Sequence, residues 1–173
     1  MDLAPHIRNI PDFPQPGIQF KDITSLLLVP EAFRFTIRQF KDRYTPMKPD
    51  GIIGVDARGF IFGATLAHEM GLPFIAARKK GKLPGDTVSQ EYALEYGTAV
   101  VEMHRGDIEA GKRYIIVDDL LATGGTVNAV VALVRALAGE VLETAFVVEL
   151  PPLGGRVALE PIPVYSLVEF MVD

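Results

Sequence analysis

The stretch VDDLLATGGT at residues 117–126 decides the fold, because it places two adjacent carboxylates and a glycine-rich turn between two apolar segments. The run before it, YIIV at residues 114–117, predicts a short buried strand. After it, apolar residues recur at helical spacing over residues 127–138, and Gly139 ends the predicted helix. The stretch therefore predicts a strand, a tight turn and a helix in succession.

The alternation of apolar strands and helices continues on both sides of this stretch. Strands are predicted at residues 51–56, 74–77, 141–150 and 163–170, and helices at residues 31–44 and 60–70. Residues 87–103 favour β structure and predict an excursion or hairpin outside the core. Such alternation is typical of an α/β domain with a mainly parallel sheet, in which ligands bind beyond the carboxyl ends of the strands.

Length and composition predict one compact, water-soluble domain. The chain has 173 residues, of which 49% are hydrophobic and 23% are charged, as expected of a globular protein. Its formal net charge of -5 argues against a surface that attracts nucleic acid, because such a surface needs many Lys and Arg contacts. The sequence has no cysteine, and no apolar run approaches the roughly 20 residues that span a bilayer. We therefore expect a cytoplasmic protein without nucleic-acid or membrane partners.

Asp118 and Asp119 follow the predicted strand and precede a turn suited to an anion. Backbone N–H groups of residues 123–126 would point outwards at the start of the helix, and glycine lets a phosphate approach them closely. Two carboxylates would repel a bare phosphate, but they accept hydrogen bonds from sugar hydroxyls or bind a divalent cation. The stretch thus favours a site for a phosphorylated sugar. The alternative is an ordinary strand-to-helix turn in which Asp and Thr only cap the helix.

Five ordered motifs resemble those of the type I phosphoribosyltransferase family. VDDLLATGGT is similar to the family's phosphoribosyl pyrophosphate signature, and four other stretches follow the family's order and spacing. They are PDFPQPGIQFKDIT at residues 11–24, DARGFIFG at 56–63, RKKGKLPG at 78–85 and LEYG at 94–97. The resemblance covers nearly the whole chain. It implies the type I phosphoribosyltransferase fold, an α/β fold with a mainly parallel central sheet flanked by helices.

The resemblance also implies how the chain is organised. Residues 1–173 would form a single phosphoribosyltransferase domain that includes a small N-terminal hood over roughly residues 1–30. A flexible β lid would close over the site. The protein would be a homodimer whose sites are completed across the interface.

Three binding regions are implied by the resemblance. The ribose and its phosphate would be bound by the quoted stretch, through Asp118, Asp119, Ala122, Thr123, Gly124, Gly125 and Thr126. The pyrophosphate would be bound by two further motifs, through Ala57, Arg58, Gly59, Arg78, Lys79 and Lys82. Adenine would be bound by the hood, with Phe20 stacking on the base and the backbone of Gln19 and Lys21 contacting its hydrogen-bonding edge.

Catalytic roles are implied for Glu95, Asp118 and Asp119. In the family the glutamate lies beside the imidazole edge of the purine, where Glu95 would act as an acid or as a positioning contact, and Tyr96 would close the lid. The chain has Lys21 where many members have Arg, and Ala57 where some members have Ser. Both positions are assigned backbone contacts, so these departures should have mild effects.

The activity implied by the resemblance is a reaction of purine salvage. A 5-phosphoribosyl group would pass from phosphoribosyl pyrophosphate to adenine, giving AMP and pyrophosphate. Mg²⁺ would be held mainly by the substrate, without direct protein ligands. Two alternatives stay open: a phosphoribosyltransferase for another purine, such as xanthine or hypoxanthine, and a non-catalytic sensor of phosphoribosyl pyrophosphate.

Overall fold

The computed structural model describes residues 1–94 and 97–171, and its strands and helices alternate on both sides of a β-hairpin. The strands are β1 Arg8–Pro11, β2 Gln19–Asp22, β3 Gly51–Val55, β4 Phe74–Lys79, β5 Thr87–Ala93, β6 Thr98–His104, β7 Arg113–Leu121, β8 Glu140–Glu149 and β9 Val164–Glu169. The helices are α1 Thr24–Leu27, α2 Pro30–Tyr44, α3 Arg58–Met70, α4 Gly125–Ala136 and α5 Gly155–Ala158. Within the described ranges, no helix combines the length and the apolar character needed to cross a bilayer.

Seven strands form the central sheet in the order β5-β6-β4-β3-β7-β8-β9. Strands β4, β3, β7, β8 and β9 run parallel to one another. The hairpin of β5 and β6 adds to one edge, where β6 pairs antiparallel with both β5 and β4. The order reverses between β3 and β7, since the chain leaves β3 towards one edge of the sheet and leaves β7 towards the other. The segments after these two strands therefore border the crevice in which such sheets bind ligands. The predicted mainly parallel sheet and the predicted hairpin are both confirmed.

Helices cover both faces of the sheet, and side chains of the central strands alternate between two apolar cores. On β7, Tyr114 and Ile116 belong to the core that contains α4, whereas Ile115 and Val117 belong to the core that contains α2 and α3. Strands that are buried on both faces have nearly continuous apolar sequences. This double burial explains why residues 114–117 lack the polar alternation of a strand with one solvated face.

The N-terminal hood is a small β-hairpin whose base is anchored in the main core. β1 and β2 pair antiparallel, and Arg8 donates to Asp22 Oδ2 through Nε at 3.1 Å and Nη2 at 2.6 Å. Before and after the hairpin, Leu3 and Ile23 are buried in the core that contains α2 and α3. The hood is thereby fixed to the helical layer beside the crevice.

One strand boundary differs from the sequence prediction in a way that affects the crevice. β7 continues to Leu121, so Asp118 and Asp119 lie inside the strand and not after it. The cause is the length of β8, which pairs Asp118 with Phe146 and Leu121 with Glu149. Pairing with the neighbouring strand β3 ends earlier, at Gly54 with Val117, so both carboxylates lie past the last residue of β7 that pairs with β3.

Other boundaries near the crevice also differ from the prediction. Arg78 and Lys79 end β4 instead of beginning a loop, because β6 pairs with both residues. The helices α3 and α4 begin at Arg58 and Gly125, about one half-turn earlier than their apolar patterns predict. The first turns of both helices are polar or glycine-rich, so the apolar pattern marks only the parts that pack on the sheet.

Replacement of Phe62 tests the packing of α3 on the sheet. Phe62 is fully buried, and its ring meets that of Phe33 edge to face with centroids 5.8 Å apart. Phe62→Ala should lower the free energy of unfolding by about 3–5 kcal/mol, because it removes a large buried side chain and leaves a cavity. Denaturant unfolding measures the change. Leu28→Ala is the control, since Leu28 is 77% exposed, and an equal loss in both variants would contradict this core.

Candidate active site

A cavity of about 370 Å³ lies at the crevice between β3 and β7. Its walls come from the segment after β3, the ends of β4 and β7, the hairpin and the first turn of α4. The lining residues are Val55, Asp56, Ala57, Arg58, Ala77, Arg78, Lys79, Tyr92, Val101, Asp118, Asp119 and Thr126. Acidic and basic side chains thus meet at the carboxyl ends of three parallel strands. This lining suits a ligand that carries both anionic groups and hydroxyls.

Seven of the residues predicted from sequence are brought together in this cavity. They are Ala57, Arg58, Arg78, Lys79, Asp118, Asp119 and Thr126. The rest of the glycine-rich turn lines an adjoining pocket of about 110 Å³, which shares Asp118 and Thr126 with the cavity. The predicted ribose, phosphate and pyrophosphate regions are therefore contiguous.

The two adjacent carboxylates have different surroundings. The Asp119 side chain is 6% exposed and accepts a hydrogen bond from Arg58 Nε. Asp118 Oδ1 accepts a hydrogen bond from the backbone N–H of Asp119 at 2.8 Å. Burial, and after it the negative charge of Asp119, raise the pKa of the Asp118 carboxyl well above its ordinary value. A hydroxyl or a positive charge on a ligand would therefore stabilise the ionised form of Asp118.

A second arginine–aspartate pair shapes the opposite wall of the cavity. Arg78 Nε donates to Asp56 Oδ2 at 2.9 Å, and Arg78 Nη1 donates to the Lys82 carbonyl oxygen at 3.2 Å. Asp56 is a lining residue that the sequence motifs did not assign to the site. It directly follows an apolar strand, as Asp118 follows residues 114–117, and this shared position could have indicated it.

The glycine-rich turn is closely packed at the start of α4. Gly124 has φ +82°, in the left-handed region that glycine adopts without steric cost. A Cβ on Gly125 would lie 3.4 Å from the Ala93 carbonyl oxygen, so the hairpin rests against the turn. The first N–H groups of α4 have no partner within the helix, and the helix dipole favours an anion at this end. The small pocket at the turn therefore suits a phosphate group.

The hood meets the cavity at Arg58. Gln19, Phe20 and Lys21 lie on β2 and are not among the lining residues of the cavity. The guanidinium carbon of Arg58, however, lies 6.0 Å from the centroid of the Phe20 ring, within the range of a cation–π contact. Because Arg58 also contacts Asp119, the predicted base-binding and ribose-binding regions are neighbours.

Two further predicted residues, Gly59 and Lys82, have other placements. Gly59 is buried in the first turn of α3, behind the cavity, and the Lys82 side chain is exposed and lines neither pocket. Glu95 and Tyr96 lie outside the described residues, so their roles stay predictions. Tyr92 of β5 does line the cavity, although the motifs did not assign it to the site.

No group of three or more acidic or histidine side chains in residues 1–94 and 97–171 is arranged to hold a metal ion. Two of the aspartates at the cavity instead have arginine partners, Asp56 with Arg78 and Asp119 with Arg58. A divalent cation at this site would therefore need oxygen atoms from a bound ligand as well as from the protein.

Comparisons with known proteins agree with this geometry. Residues 25–157 match the family model of the phosphoribosyl transferase domain. A curated adenine phosphoribosyltransferase of Desulfosudis oleivorans is 50% identical to the chain over 170 residues, which cover 98% of each protein. The chain belongs to the adenine phosphoribosyltransferase family. This membership confirms the resemblance that the five sequence motifs indicated.

Solved structures of family members confirm the type I fold. The adenine phosphoribosyltransferase of Thermoanaerobacter pseudethanolicus superposes with a TM-score of 0.94 at 46% identity, over 97% of this chain and 98% of that chain. The Saccharomyces cerevisiae enzyme, solved with an imino-altritol bisphosphate and adenine, gives a TM-score of 0.91 at 40% identity, over 95% and 96%.

Replacement of Gly59 tests the close approach of α3 to β7. A Cβ at this position would lie 2.8 Å from the Val117 carbonyl oxygen and 2.9 Å from Asp118 Oδ1. Gly59→Ala should therefore lower the free energy of unfolding by about 1–3 kcal/mol, because backbone must move to admit the methyl group. Urea unfolding measures the loss. Gly106→Ala is the control, since nothing lies within 4 Å of its added Cβ; a loss no larger than that of this control would contradict the close contact.

The raised pKa of Asp118 predicts a pH-dependent gain in stability for Asp118→Asn. The folded state favours the neutral carboxyl, so the stability from this group is complete below its ordinary pKa of 3.8 and is lost as the pH rises through the raised folded-state value. The variant should therefore unfold at higher urea concentration than the parent at neutral pH, with a gain that shrinks towards about pH 4. Asp42→Asn, at an exposed site on α2, controls for the removal of one negative charge. A gain independent of pH would argue against this origin.

Proposed function

We propose that the protein transfers the 5-phosphoribosyl group of phosphoribosyl pyrophosphate to adenine, giving AMP and pyrophosphate in purine salvage. The observation that carries this proposal is the cavity at the β3–β7 crevice, where a glycine-rich helix start, two adjacent aspartates and two arginines meet. Membership of the adenine phosphoribosyltransferase family identifies the ligands that this combination of groups suits.

The 5-phosphate of the donor is assigned to the turn at residues 122–126. The N–H groups at the start of α4 and the hydroxyls of Thr123 and Thr126 supply donors, and the helix dipole favours the phosphate charge. Gly124 and Gly125 keep side chains out of the small pocket that the turn lines. The same segment therefore fixes the phosphorylated end of the sugar.

The ribose is assigned to Asp118 and Asp119, whose carboxylates accept hydrogen bonds from its hydroxyls. Loss of pyrophosphate leaves positive charge on the anomeric carbon, as in glycoside cleavage. Carboxylates beside that carbon stabilise the transition state more than the ground state, and this difference lowers the barrier. Asp118 suits this role because burial has made its ionised form costly in the absence of a positive partner.

The pyrophosphate is assigned to Ala57, Arg58, Gly59, Arg78, Lys79 and Lys82. Arg58, Arg78 and Lys79 bring positive charge to the cavity, and positive charge stabilises the departing pyrophosphate. The exposed side chain of Lys82 supports a role in the site of a neighbouring subunit, within the homodimer that we also propose. Mg²⁺ bound to oxygens of the donor would supply further charge neutralisation for the leaving group.

The base is assigned to the hood. Phe20 is half-buried on β2 and lies beside Arg58, so an adenine stacked on its ring would be next to the ribose site. Backbone groups of Gln19 and Lys21 are assigned to its hydrogen-bonding edge. Glu95 is assigned to the imidazole edge and Tyr96 to the closed lid, both on the resemblance to the family.

The chain organisation follows the same proposal. Residues 1–173 form one domain that includes the hood, which the burial of Leu3 and Ile23 in the core of α2 and α3 supports. A lid that closes over the cavity would exclude water, which could otherwise hydrolyse the donor. We also infer a cytoplasmic location, because donor and product are multiply charged and do not cross a bilayer unaided.

The base assignment is tested by pyrophosphate release from phosphoribosyl pyrophosphate and Mg²⁺ with adenine, hypoxanthine, xanthine or guanine. Release should be fast with adenine only. Phe20→Ala should raise the KM for adenine about 5- to 150-fold and leave the KM for the donor nearly unchanged, because stacking on a base contributes about 1–3 kcal/mol. Phe35→Ala, at a half-buried phenylalanine on α2, is the control.

Two results would contradict parts of this proposal. Comparable release with another purine would remove the assignment of adenine to the hood but keep the donor site. No release with any base, in a protein that still binds the donor, would leave a sensor as the better description.

The assignment of Lys82 to a neighbouring subunit is tested by complementation. Lys82→Ala and Asp119→Asn should each reduce turnover strongly when expressed alone. In a mixed dimer one site has both defects and the other has neither, so coexpression should restore about one quarter of the parental activity. Thr126→Ala, in the phosphate turn beside Asp119 in the same subunit, replaces Lys82→Ala in the control pairing, which should restore no activity because each site of the mixed dimer keeps one defect. Failure to restore activity beyond the sum of the single variants would contradict sites that share residues across an interface.

A further inference from the structure

The phosphate-binding turn at residues 122–126 is backed by a second glycine turn at the start of α5. A Cβ on Gly155 would lie 2.3 Å from the Ala122 carbonyl oxygen and 2.7 Å from Leu121 Cδ1. A Cβ on Gly124 would lie 3.0 Å from the Gly155 carbonyl oxygen. Backbone therefore meets backbone at this contact, with no side chain between the two turns. A shift of either turn must be followed by the other or must open a gap.

The segment that carries Gly155 is held by Arg156. Arg156 Nε donates to Glu149 Oε1 at 3.0 Å, and Arg156 Nη2 donates to Glu149 Oε2. Ser166 Oγ donates to the same Glu149 Oε2 at 2.6 Å, and Arg156 Nη1 donates to the Val164 carbonyl oxygen at 2.8 Å. Glu149 ends β8 and its side chain is only 3% exposed. A two-bond arginine–carboxylate contact fixes orientation as well as distance.

The contact of Arg156 with Glu149 closes a short loop onto the end of the sheet. The loop leaves β8 at Glu149, passes Leu150, whose N–H donates to the Leu121 carbonyl oxygen at 2.9 Å, and returns at Arg156. Its far side is the glycine turn that touches Ala122 and Gly124. Arg156 thus holds the phosphate-binding turn in a fixed position relative to the ends of β7 and β8, although its side chain lines neither site pocket.

We propose that Arg156 is a positioning residue for the donor phosphate: through Glu149 and Gly155 it holds the turn at residues 122–126 in the geometry that binds this group. The inference rests on the proposed function, which assigns the phosphate to that turn. Phosphate binding by backbone N–H groups depends on their preorganisation. The pyrophosphate region is built from the segment after β3 and the end of β4, and no residue of the loop from Glu149 to Arg156 lines the cavity.

The chain contains a matched pair for comparison. Arg43 contacts Glu143 by the same two-bond arrangement, and Glu143 is also buried on β8. Glu149 lies six positions after Glu143 on β8, which places the two pairs about 20 Å apart along the strand. Loss of Arg43 therefore leaves a buried glutamate without its arginine, as loss of Arg156 does, but far from the phosphate-binding turn.

The experiment measures the dissociation constants of ribose 5-phosphate and of pyrophosphate by calorimetry, on the full chain, for the parent, Arg156→Gln, Arg156→Lys and Arg43→Gln. Arg156→Gln should weaken ribose 5-phosphate binding about tenfold or more and change pyrophosphate binding less than about twofold. In turnover it should raise the KM for phosphoribosyl pyrophosphate with little change in kcat. Arg156→Lys, which keeps the charge but loses the two-bond contact, should be intermediate. Arg43→Gln should lower thermal stability without this selectivity.

The outcomes separate this inference from the proposed function. A parent protein that binds ribose 5-phosphate, with an Arg156→Gln variant that binds it equally well, overturns the role of Arg156 and leaves the function intact. Equal weakening of both ligands, or the same pattern in Arg43→Gln, overturns it in favour of a general structural effect. A parent that does not bind ribose 5-phosphate overturns the proposed function itself. If Arg156→Gln does not fold, Arg156→Lys and Ser166→Ala replace it. Each should then weaken ribose 5-phosphate binding and leave pyrophosphate binding nearly unchanged, and equal effects on both ligands overturn the inference.

Discussion

The parallel pairing of β3 with β7 is the interaction on which the rest of the structure depends. The two strands run side by side from Gly51 opposite Tyr114 to Gly54 opposite Val117, with helices over both faces. Since the chain departs from them in opposite directions, the segments that follow are forced apart and leave a crevice. The first turn of α3 comes so close to β7 that only glycine fits at residue 59. The close packing of α3 against β7, beside the β3–β7 pair, thus determines where a ligand can bind.

Charge is arranged at the crevice before any ligand arrives. Asp119 and Asp56 each have an arginine partner, whereas Asp118 is half-buried beside a like charge and has a raised pKa. Such an arrangement costs stability in the folded protein and is typical of functional sites, where a ligand supplies the missing favourable interaction. The folded protein therefore carries an unfavourable set of charges at the crevice, which the positively charged sugar of the proposed reaction would complete.

Much of the fold could be predicted from local pattern, because strands buried on both faces and amphipathic helices have distinct periodicities. The α/β class, the hairpin and the order of elements around residues 117–126 all follow from such patterns. Strand ends could not be predicted, since Asp118 lies inside β7 only because β8 extends beside it, and Arg78 lies in β4 only because β6 pairs with it. Pairing partners are distant in sequence, and no local signal encodes them.

Some residues of the candidate site were predicted from the sequence, and others were missed. Charged residues of the motifs, such as Arg58 and Asp119, were indicated by the resemblance and do meet in one cavity. Asp56 and Tyr92 were missed, because an acidic residue after a strand and a tyrosine in a hairpin are each common without a site. Lys82 does not line the cavity, because its side chain is exposed in a loop whose direction the motif does not specify.

Arg58 has a consequence for how the two halves of the site respond to each other. Its guanidinium holds Asp119 on one side and lies near the Phe20 ring on the other. In the proposed function a sugar hydroxyl would also donate to the Asp119 carboxylate, and this second donor would weaken the attraction of Asp119 for Arg58, whose positive charge lies next to the hood. On that proposal, occupation of the sugar half would alter the affinity of the base half, and by thermodynamic reciprocity a base on Phe20 would alter the affinity for the sugar by the same factor. In the proposed function, base and sugar would thus both act on the Arg58 side chain, and the two binding events would not be independent.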